Sequence, residues 1–119
     1  MFGFKKKSES KLNWNQLTEL DQLDHIAEAS KENTVLIFKH STRCSISSMA
    51  LNRLEREWED IGVIPYYLDL IAYRAISNEI ADRFNVFHES PQVLIIKNGD
   101  CIYNASHNAI DFQSIRENS

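Results

Sequence analysis

The chain of 119 residues has only two cysteines, no long apolar run and no excess of basic residues. Cys44 and Cys101 are too few to build the disulfide framework of a small secreted domain. The longest apolar runs, VLIF and VLII, are far shorter than the roughly 20 residues of a membrane-spanning helix, so membrane insertion is excluded. Because the net charge is −4 and basic residues form no extended block, nucleic acid is a poor candidate partner.

The first eleven residues, MFGFKKKSESK, are polar apart from the start and contain a basic cluster. A signal peptide would continue into an apolar segment, and polar residues follow here instead. We expect residues 1–11 to form a flexible tail and residues 12–119 a single domain, which is large enough to bury a core without disulfides or metals. Without an export signal the expected compartment is the reducing cytosol, where thiols stay available for chemistry.

The first half of the chain alternates between helical and strand patterns. After Trp14, apolar residues recur at helical spacing, although residues 14–17 could instead form a short strand before the helix. The short, continuous and partly β-branched run TVLIFKH predicts a buried strand, and CSISSMALNRLEREWED then returns to the helical period. VIPYYLDL predicts a second strand, whose Pro65 suits an edge or the start of a strand.

The second half predicts a helix over residues 73–84, with Asn85 as a left-handed cap, followed by a hairpin. QVLIIK and CIYNA flank Asn98-Gly99, a strong signal for a tight hairpin turn, and a short helix over residues 110–115 closes the chain. Alternation of strands and helices implies parallel strands, whereas the hairpin implies an antiparallel edge. The predicted fold is an α/β sandwich with a mixed sheet flanked by helices.

Cys44 is the main candidate for chemistry, because the predicted boundaries place it where a strand ends and a helix begins. Unpaired amide groups and the positive end of the helix dipole meet there, which favours a thiolate over a thiol. His40 and Arg43 could add positive potential. The carboxyl ends of strands are also where open α/β sheets bind ligands. This location favours a reactive cysteine over a buried one, which is the usual state of free cysteine.

Two separated stretches resemble the thioredoxin fold. IADRFNVFHESPQVLIIKNGD resembles the second half of such a domain, and FKHSTRCSIS falls where that fold carries its active-site motif. Within the fold, HSTRCSISSMA and LDLIAYRAISNEIADRF most resemble the YtxJ-like monothiol bacilliredoxins, small cytoplasmic proteins of bacteria that use bacillithiol. The resemblance runs from about Trp14 to the C-terminus and implies a thioredoxin-like three-layer sandwich. Ser45 stands where members often have proline, and Phe38 where dithiol thioredoxins carry a buried acid.

The resemblance implies a monothiol thiol–disulfide oxidoreductase with Cys44 as its catalytic residue. In this C-x-x-S motif Ser47 replaces the second thiol that would release a mixed disulfide, so an outside thiol must release it. We therefore expect Cys44 to remove bacillithiol from mixed disulfides on client proteins, and a second bacillithiol or a reductase to regenerate Cys44. Bacillithiol is then a co-substrate, the modified clients are the partners, and no bound cofactor is expected.

Three other residues are assigned to the site. The hydroxyl of Ser47 could donate a hydrogen bond to the thiolate, or Ser47 could be an ordinary serine of a first helical turn. By the resemblance, Pro91 is a cis proline that faces Cys44, and the backbone of Ser90 pairs with the substrate. Without the resemblance, Pro91 would simply open a strand after a trans bond.

Cys101 is expected to be structural, because it follows the hairpin turn without an electropositive or helix-terminal setting. The histidines lack the spacing of metal ligands, so no metal site is expected. Two other functions stay open. One is a monothiol oxidoreductase that uses another low-molecular-weight thiol, such as glutathione or coenzyme A. The other is a non-catalytic thioredoxin-fold interaction module, because fold alone does not prove activity.

Overall fold

Within residues 12–119 the strands are β1 Asn15–Gln16, β2 Val35–His40, β3 Ile64–Asp69, β4 Gln92–Lys97 and β5 Asp100–Ser106. They form one mixed sheet in the order β1-β3-β2-β4-β5. The computed structural model describes residues 12–119, so the tail predicted over residues 1–11 lies outside the described residues. β1 is parallel to β3 and β3 to β2, whereas β4 runs antiparallel to both β2 and β5. The predicted mixed sheet with an antiparallel hairpin at its edge is therefore confirmed.

Helices cover both faces of the sheet, since every side chain of β2 is buried and successive side chains point to opposite faces. The helices are α1 Gln22–Ala29, α2 Ser45–Glu57, α3 Arg74–Phe84 and α4 Phe112–Asn118, with a 3-10 turn, His107–Ala109, before α4. Leu36 and Phe38 pack in one apolar cluster with residues of α2 and α4. Val35 and Ile37 pack in a second cluster with residues of α1 and α3. The result is the predicted three-layer sandwich.

The start of the chain forms the short strand that the sequence left as an alternative. β1 covers only Asn15–Gln16, and the first helix begins later, at Gln22. The Gln22 side chain accepts hydrogen bonds from the backbone amides of Thr18 and Glu19, each at 2.8 Å, which closes the turn between the two elements. Pairing with β3, rather than the local apolar period, therefore determines the conformation of residues 14–17.

Pro65 is the second residue of β3, which agrees with the predicted position near the start of a strand, although β3 lies between two neighbouring strands and not at the edge of the sheet. Its carbonyl faces β1, where it accepts a hydrogen bond from the Asn15 side chain at 3.0 Å. Since β1 pairs only with Tyr66 and Tyr67, the missing amide of Pro65 removes no hydrogen bond from that pairing. Because β1 is only two residues long and does not pair with Pro65, a proline at this position of β3 costs no hydrogen bond to β1.

The predicted turns and caps are found where the sequence places them. Asn98 and Gly99 have φ values of 53° and 81° in the hairpin turn, and Asn85 caps α3 with φ 55° and ψ 49°. The last helix starts later than predicted, because Asp111 acts as its N-cap and leaves Ile110 outside it. Ile110 is nevertheless fully buried. Its apolar side chain therefore continues the apolar pattern of the helix, although the residue lies before the N-cap.

Replacing Asp111 with alanine is expected to lower the free energy of unfolding by about 1 kcal/mol, because the carboxylate accepts a hydrogen bond from the Ser114 amide at 2.7 Å. Urea denaturation measures this loss. Asp111→Asn keeps a side-chain acceptor at the cap and should retain most of the stability. Equal losses in the two variants would contradict the assigned role of the cap.

Candidate active site

Three connections meet at the C-terminal end of β2. Residues 41–44 follow β2, residues 87–91 precede β4, and the turn 107–109 follows β5. The register brings these connections together, because the last paired residue of β2 lies opposite the first residue of β4, which in turn pairs with the last residue of β5. The amide of His107 donates to the carbonyl of Pro91 at 3.1 Å, which joins two of the three connections directly.

Cys44 is the N-cap residue of α2, as the sequence predicts. Its amide donates to the carbonyl of Ser41 at 3.1 Å, and its carbonyl accepts from the amide of Ser48 at 3.1 Å. The half-buried, free thiol of Cys44 forms no capping hydrogen bond, so the amides in the first turn of α2 have no side-chain partner from their N-cap residue. The thiol therefore lies at the positive end of a helix of 13 residues.

Ser47 is fully buried one turn further along α2. Its hydroxyl oxygen accepts a hydrogen bond from the backbone amide of Ser41 at 3.0 Å. The same oxygen lies 2.7 Å from Nδ1 of His40. Within the described part of the chain these are its two partners, so the predicted hydrogen bond from Ser47 to Cys44 is not formed in this structure and stays a prediction.

His40 is buried at the end of β2, and its ring is held between aromatic neighbours. Its centroid lies 5.8 Å from that of Phe38 and 5.6 Å from that of Tyr67. Burial lowers the pKa of His40 below its ordinary value of 6.5, although the charges of Asp69 and Glu55 oppose that shift. At neutral pH the ring is therefore mainly uncharged, and Nδ1 is the nitrogen directed at Ser47. The predicted positive potential from His40 thus needs an acidic solution.

The Ser90–Pro91 peptide bond is cis, which the family resemblance predicts. Because Gln92 pairs with Lys39 in antiparallel strands, Pro91 comes next to His40 and so beside the loop that carries Cys44. The Ser90 hydroxyl is buried and has no hydrogen-bond partner among the described residues. The contact of these two residues with substrate stays a prediction.

Arg43 is exposed in the turn directly before Cys44, so its guanidinium is accessible to an anionic partner. On the neighbouring connections, Nδ1 of His107 lies 3.8 Å from a carboxylate oxygen of Glu89. No three histidine, cysteine, aspartate or glutamate side chains within residues 12–119 converge as a metal site would require.

Cys101 lies at the other end of the sheet, where it pairs with Ile96 near the start of the hairpin. Its thiol donates to the carbonyl of Tyr103 at 3.3 Å, and it packs against the core cluster beneath α1 and α3. Burial raises the pKa of the Cys101 thiol, so the thiol form predominates at neutral pH. These features agree with the structural role expected for Cys101.

Lys39 is a buried residue that the sequence arguments missed. It is fully inaccessible to solvent, and among the described residues its ammonium has one hydrogen-bond partner, the carbonyl of Ser77 at 3.4 Å. Burial lowers its pKa to about 8. The available signal was the alternation in β2, because Lys39 shares a face with Val35 and Ile37, both of which are core residues.

Comparison with known proteins identifies the family. A family model described as monothiol bacilliredoxin BrxC matches residues 15–115. The chain belongs to the monothiol bacilliredoxin family. A solved structure described as a candidate oxidoreductase with a thioredoxin fold is 32% identical, with a TM-score of 0.76, and the match covers 86% of this chain and 89% of that one. The predicted family, the thioredoxin-like fold and a thiol–disulfide oxidoreductase activity are thereby confirmed.

More distant thioredoxins share the fold of this bacilliredoxin. The thioredoxin of Malassezia sympodialis is 18% identical with a TM-score of 0.67, and the match covers 88% of this chain and 86% of that one. The thioredoxin of Trypanosoma brucei brucei is 14% identical with a TM-score of 0.67, covering 89% and 87% of the two chains. Within residues 12–119 of the bacilliredoxin, no helix is both long and apolar enough to cross a bilayer.

Proposed function

We propose that this bacilliredoxin removes bacillithiol from mixed disulfides on cytosolic client proteins, with Cys44 as the attacking thiol. The observation that carries the proposal is the position of Cys44, half-buried at the uncapped start of α2, in a chain that belongs to the monothiol bacilliredoxin family. Amides at the start of a helix stabilise the thiolate, which is the form that attacks a disulfide.

The reaction consists of two exchange steps. The Cys44 thiolate attacks the bacillithiol sulfur of the client disulfide, so that a bond forms between Cys44 and bacillithiol while the client sulfur leaves as a thiolate and takes a proton from solvent. The thiolate of a second bacillithiol then attacks the bacillithiol sulfur on Cys44. This step produces bacillithiol disulfide and returns Cys44 as a thiolate, so sulfur atoms and electrons balance.

The neighbouring residues have separate parts in this proposal. Ser47 occupies the place of a second thiol, and its hydroxyl cannot displace a sulfur, so the mixed disulfide waits for an outside thiol. The backbone of Ser90, beside the cis bond to Pro91, would align the extended segment of the client. Arg43, exposed in the turn before Cys44, would meet the small thiol or the client from solvent.

The test is transfer from a client protein modified with bacillithiol. We expect mass spectrometry of the intact bacilliredoxin to show one added bacillithiol, and digestion to place it on Cys44. Parallel reactions with clients modified by glutathione or coenzyme A measure the choice of small thiol. Absence of a bacillithiol adduct would overturn the proposal. A faster reaction with a client modified by glutathione or coenzyme A would instead identify that thiol as the co-substrate.

A further inference from the structure

The buried hydroxyl of Ser47 forms a closed hydrogen-bonded unit with the end of β2. The Ser41 amide can only donate, so at 3.0 Å it uses one lone pair of the Ser47 oxygen. The hydroxyl then has one hydrogen to donate and one lone pair left, and its other partner is Nδ1 of His40 at 2.7 Å. The direction of this second bond depends on whether Nδ1 carries a proton.

The two protonation states of His40 leave the Ser47 hydroxyl in different conditions. When Nδ1 is unprotonated it accepts, and the hydroxyl hydrogen is consumed by the imidazole. When the ring becomes an imidazolium, Nδ1 must donate to the Ser47 oxygen, and the hydroxyl hydrogen needs a new acceptor in a buried site. A thiolate is such an acceptor, and Cys44 lies one helical turn before Ser47.

We infer that His40 is a positioning residue for Cys44, because protonation of its imidazole releases the Ser47 hydroxyl hydrogen toward the Cys44 thiolate. The inference rests on the proposed function in one respect, namely that Cys44 is the attacking thiol. It adds that the serine of the C-x-x-S motif acts under the control of a histidine four residues before the cysteine. In acidic solution the released hydrogen bond preserves thiolate that would otherwise be protonated.

The charged and titratable groups around His40 come from several elements. β3 contributes Tyr67, whose ring contacts the imidazole, and Asp69. α2 contributes Glu55, which also accepts a hydrogen bond from the Trp14 indole at 2.8 Å, and Cys44 at its start. Both carboxylates favour the imidazolium, whereas burial opposes it, and the net effect is a pKa of His40 below 6.5. We therefore expect the Ser47 hydroxyl hydrogen to be released toward Cys44 in mildly acidic solution.

The alkylation rate of Cys44 by iodoacetamide tests this inference in chains that carry Cys101→Ala, so that one thiol reacts. The rate is measured from about pH 8 to about pH 5, where histidine changes charge, with Ser47 intact and with Ser47→Ala. We expect the ratio of the two rates to rise roughly tenfold as the pH falls through the titration of His40. The rise should vanish with His40→Phe, which keeps a ring between Phe38 and Tyr67 but has no nitrogen.

Imidazole nitrogen NMR of the unsubstituted chain gives a second measurement that needs no variant. We expect Nδ1 of His40 to be unprotonated at neutral pH and to gain its proton at the same midpoint as the change in the rate ratio. A ratio that does not change with pH, a rise that persists with His40→Phe, or an Nδ1 protonated throughout would each overturn the inference. Failure of bacillithiol transfer with a pH-dependent ratio would instead reject the proposed function alone.

Discussion

Cys44→Ser is expected to reduce bacillithiol transfer from a modified client to background. A serine hydroxyl is a far weaker nucleophile than a thiolate, and the variant keeps the size of the side chain at the N-cap of α2, where serine is a favoured residue. The helix should therefore remain intact while the chemistry is lost. Intact-protein mass spectrometry measures the adduct on the bacilliredoxin, and release of the client thiol gives the rate.

The matched control is Cys101→Ala. The Cys101 thiol is partly buried, donates to a backbone carbonyl and has a raised pKa, so its removal should leave both the adduct and the rate of release unchanged. Retention of transfer in Cys44→Ser, combined with its loss in Cys101→Ala, would show that Cys101 is the attacking thiol and would contradict the role proposed for Cys44. Equal release of the client thiol by Cys44→Ser, Cys101→Ala and the unsubstituted chain, with no adduct on any of them, would show that the client loses bacillithiol without help from the protein.

Lys39→Met is expected to stabilise the fold at neutral pH by at most about 3 kcal/mol. Burial lowers the pKa of Lys39 from its ordinary value of 10.5 to about 8, and this difference corresponds to roughly 3 kcal/mol spent on keeping the buried ammonium charged. Methionine retains a long flexible side chain of similar volume in the core beneath α3. The loss of one hydrogen bond to the Ser77 carbonyl, 3.4 Å long, offsets only part of the gain.

The same lysine gives a pH dependence of a definite sign. Below about pH 8 both the folded and the unfolded chain carry the charge, and the full cost is present. Between about pH 8 and pH 10.5 the unfolded chain binds a proton that the folded chain has lost, so the contribution of Lys39 makes stability rise with pH. Lys39→Met should remove this rise.

Urea denaturation under reducing conditions, repeated from neutral to alkaline pH, measures both effects. Lys97→Met is the control, because Lys97 ends β4 with its side chain exposed and its removal changes the net charge equally. A gain in stability of the same size in both variants, or an unchanged alkaline rise in Lys39→Met, would contradict the role assigned to the buried ammonium.

The sequence predicts those parts of the fold that local pattern determines. β2 follows from its continuous apolar run, the hairpin from Asn98-Gly99, and the cap of α3 from Asn85, and all three are found. The sequence predicts β1 only as an alternative to a helix, because a strand of two residues takes its conformation from hydrogen bonds to β3 and has too few residues to show a strand pattern. The apolar pattern predicts a helical position for Ile110, whereas in the structure the apolar side chain reflects burial outside the helix.

The site was predictable to a similar depth. The position of Cys44 follows from adjacent strand and helix patterns, whereas the cis bond before Pro91 came from the family resemblance. The hydrogen bond between His40 and Ser47 depends on the conformation of residues 41–44, which brings the start of α2 back to the end of β2. The spacing of residues along the chain does not predict that conformation. The residue type hides Lys39, because lysine is almost never fully buried, although alternation along β2 places its side chain inward.

The placement of the two cysteines at opposite ends of the sheet sets the kinetic order of the cycle. Cys101 pairs with Ile96, which pairs with Val35, so it lies about five strand residues, roughly 16 Å, from the end of β2 where the loop to Cys44 begins. A disulfide needs Cα atoms within about 7 Å, so Cys101 is out of reach of a mixed disulfide on Cys44. Release is therefore bimolecular under the proposed function. After one reaction with a client, each protein molecule remains in the mixed disulfide on Cys44 until a small thiol releases it. The concentration of free small thiol therefore determines how fast the cycle continues.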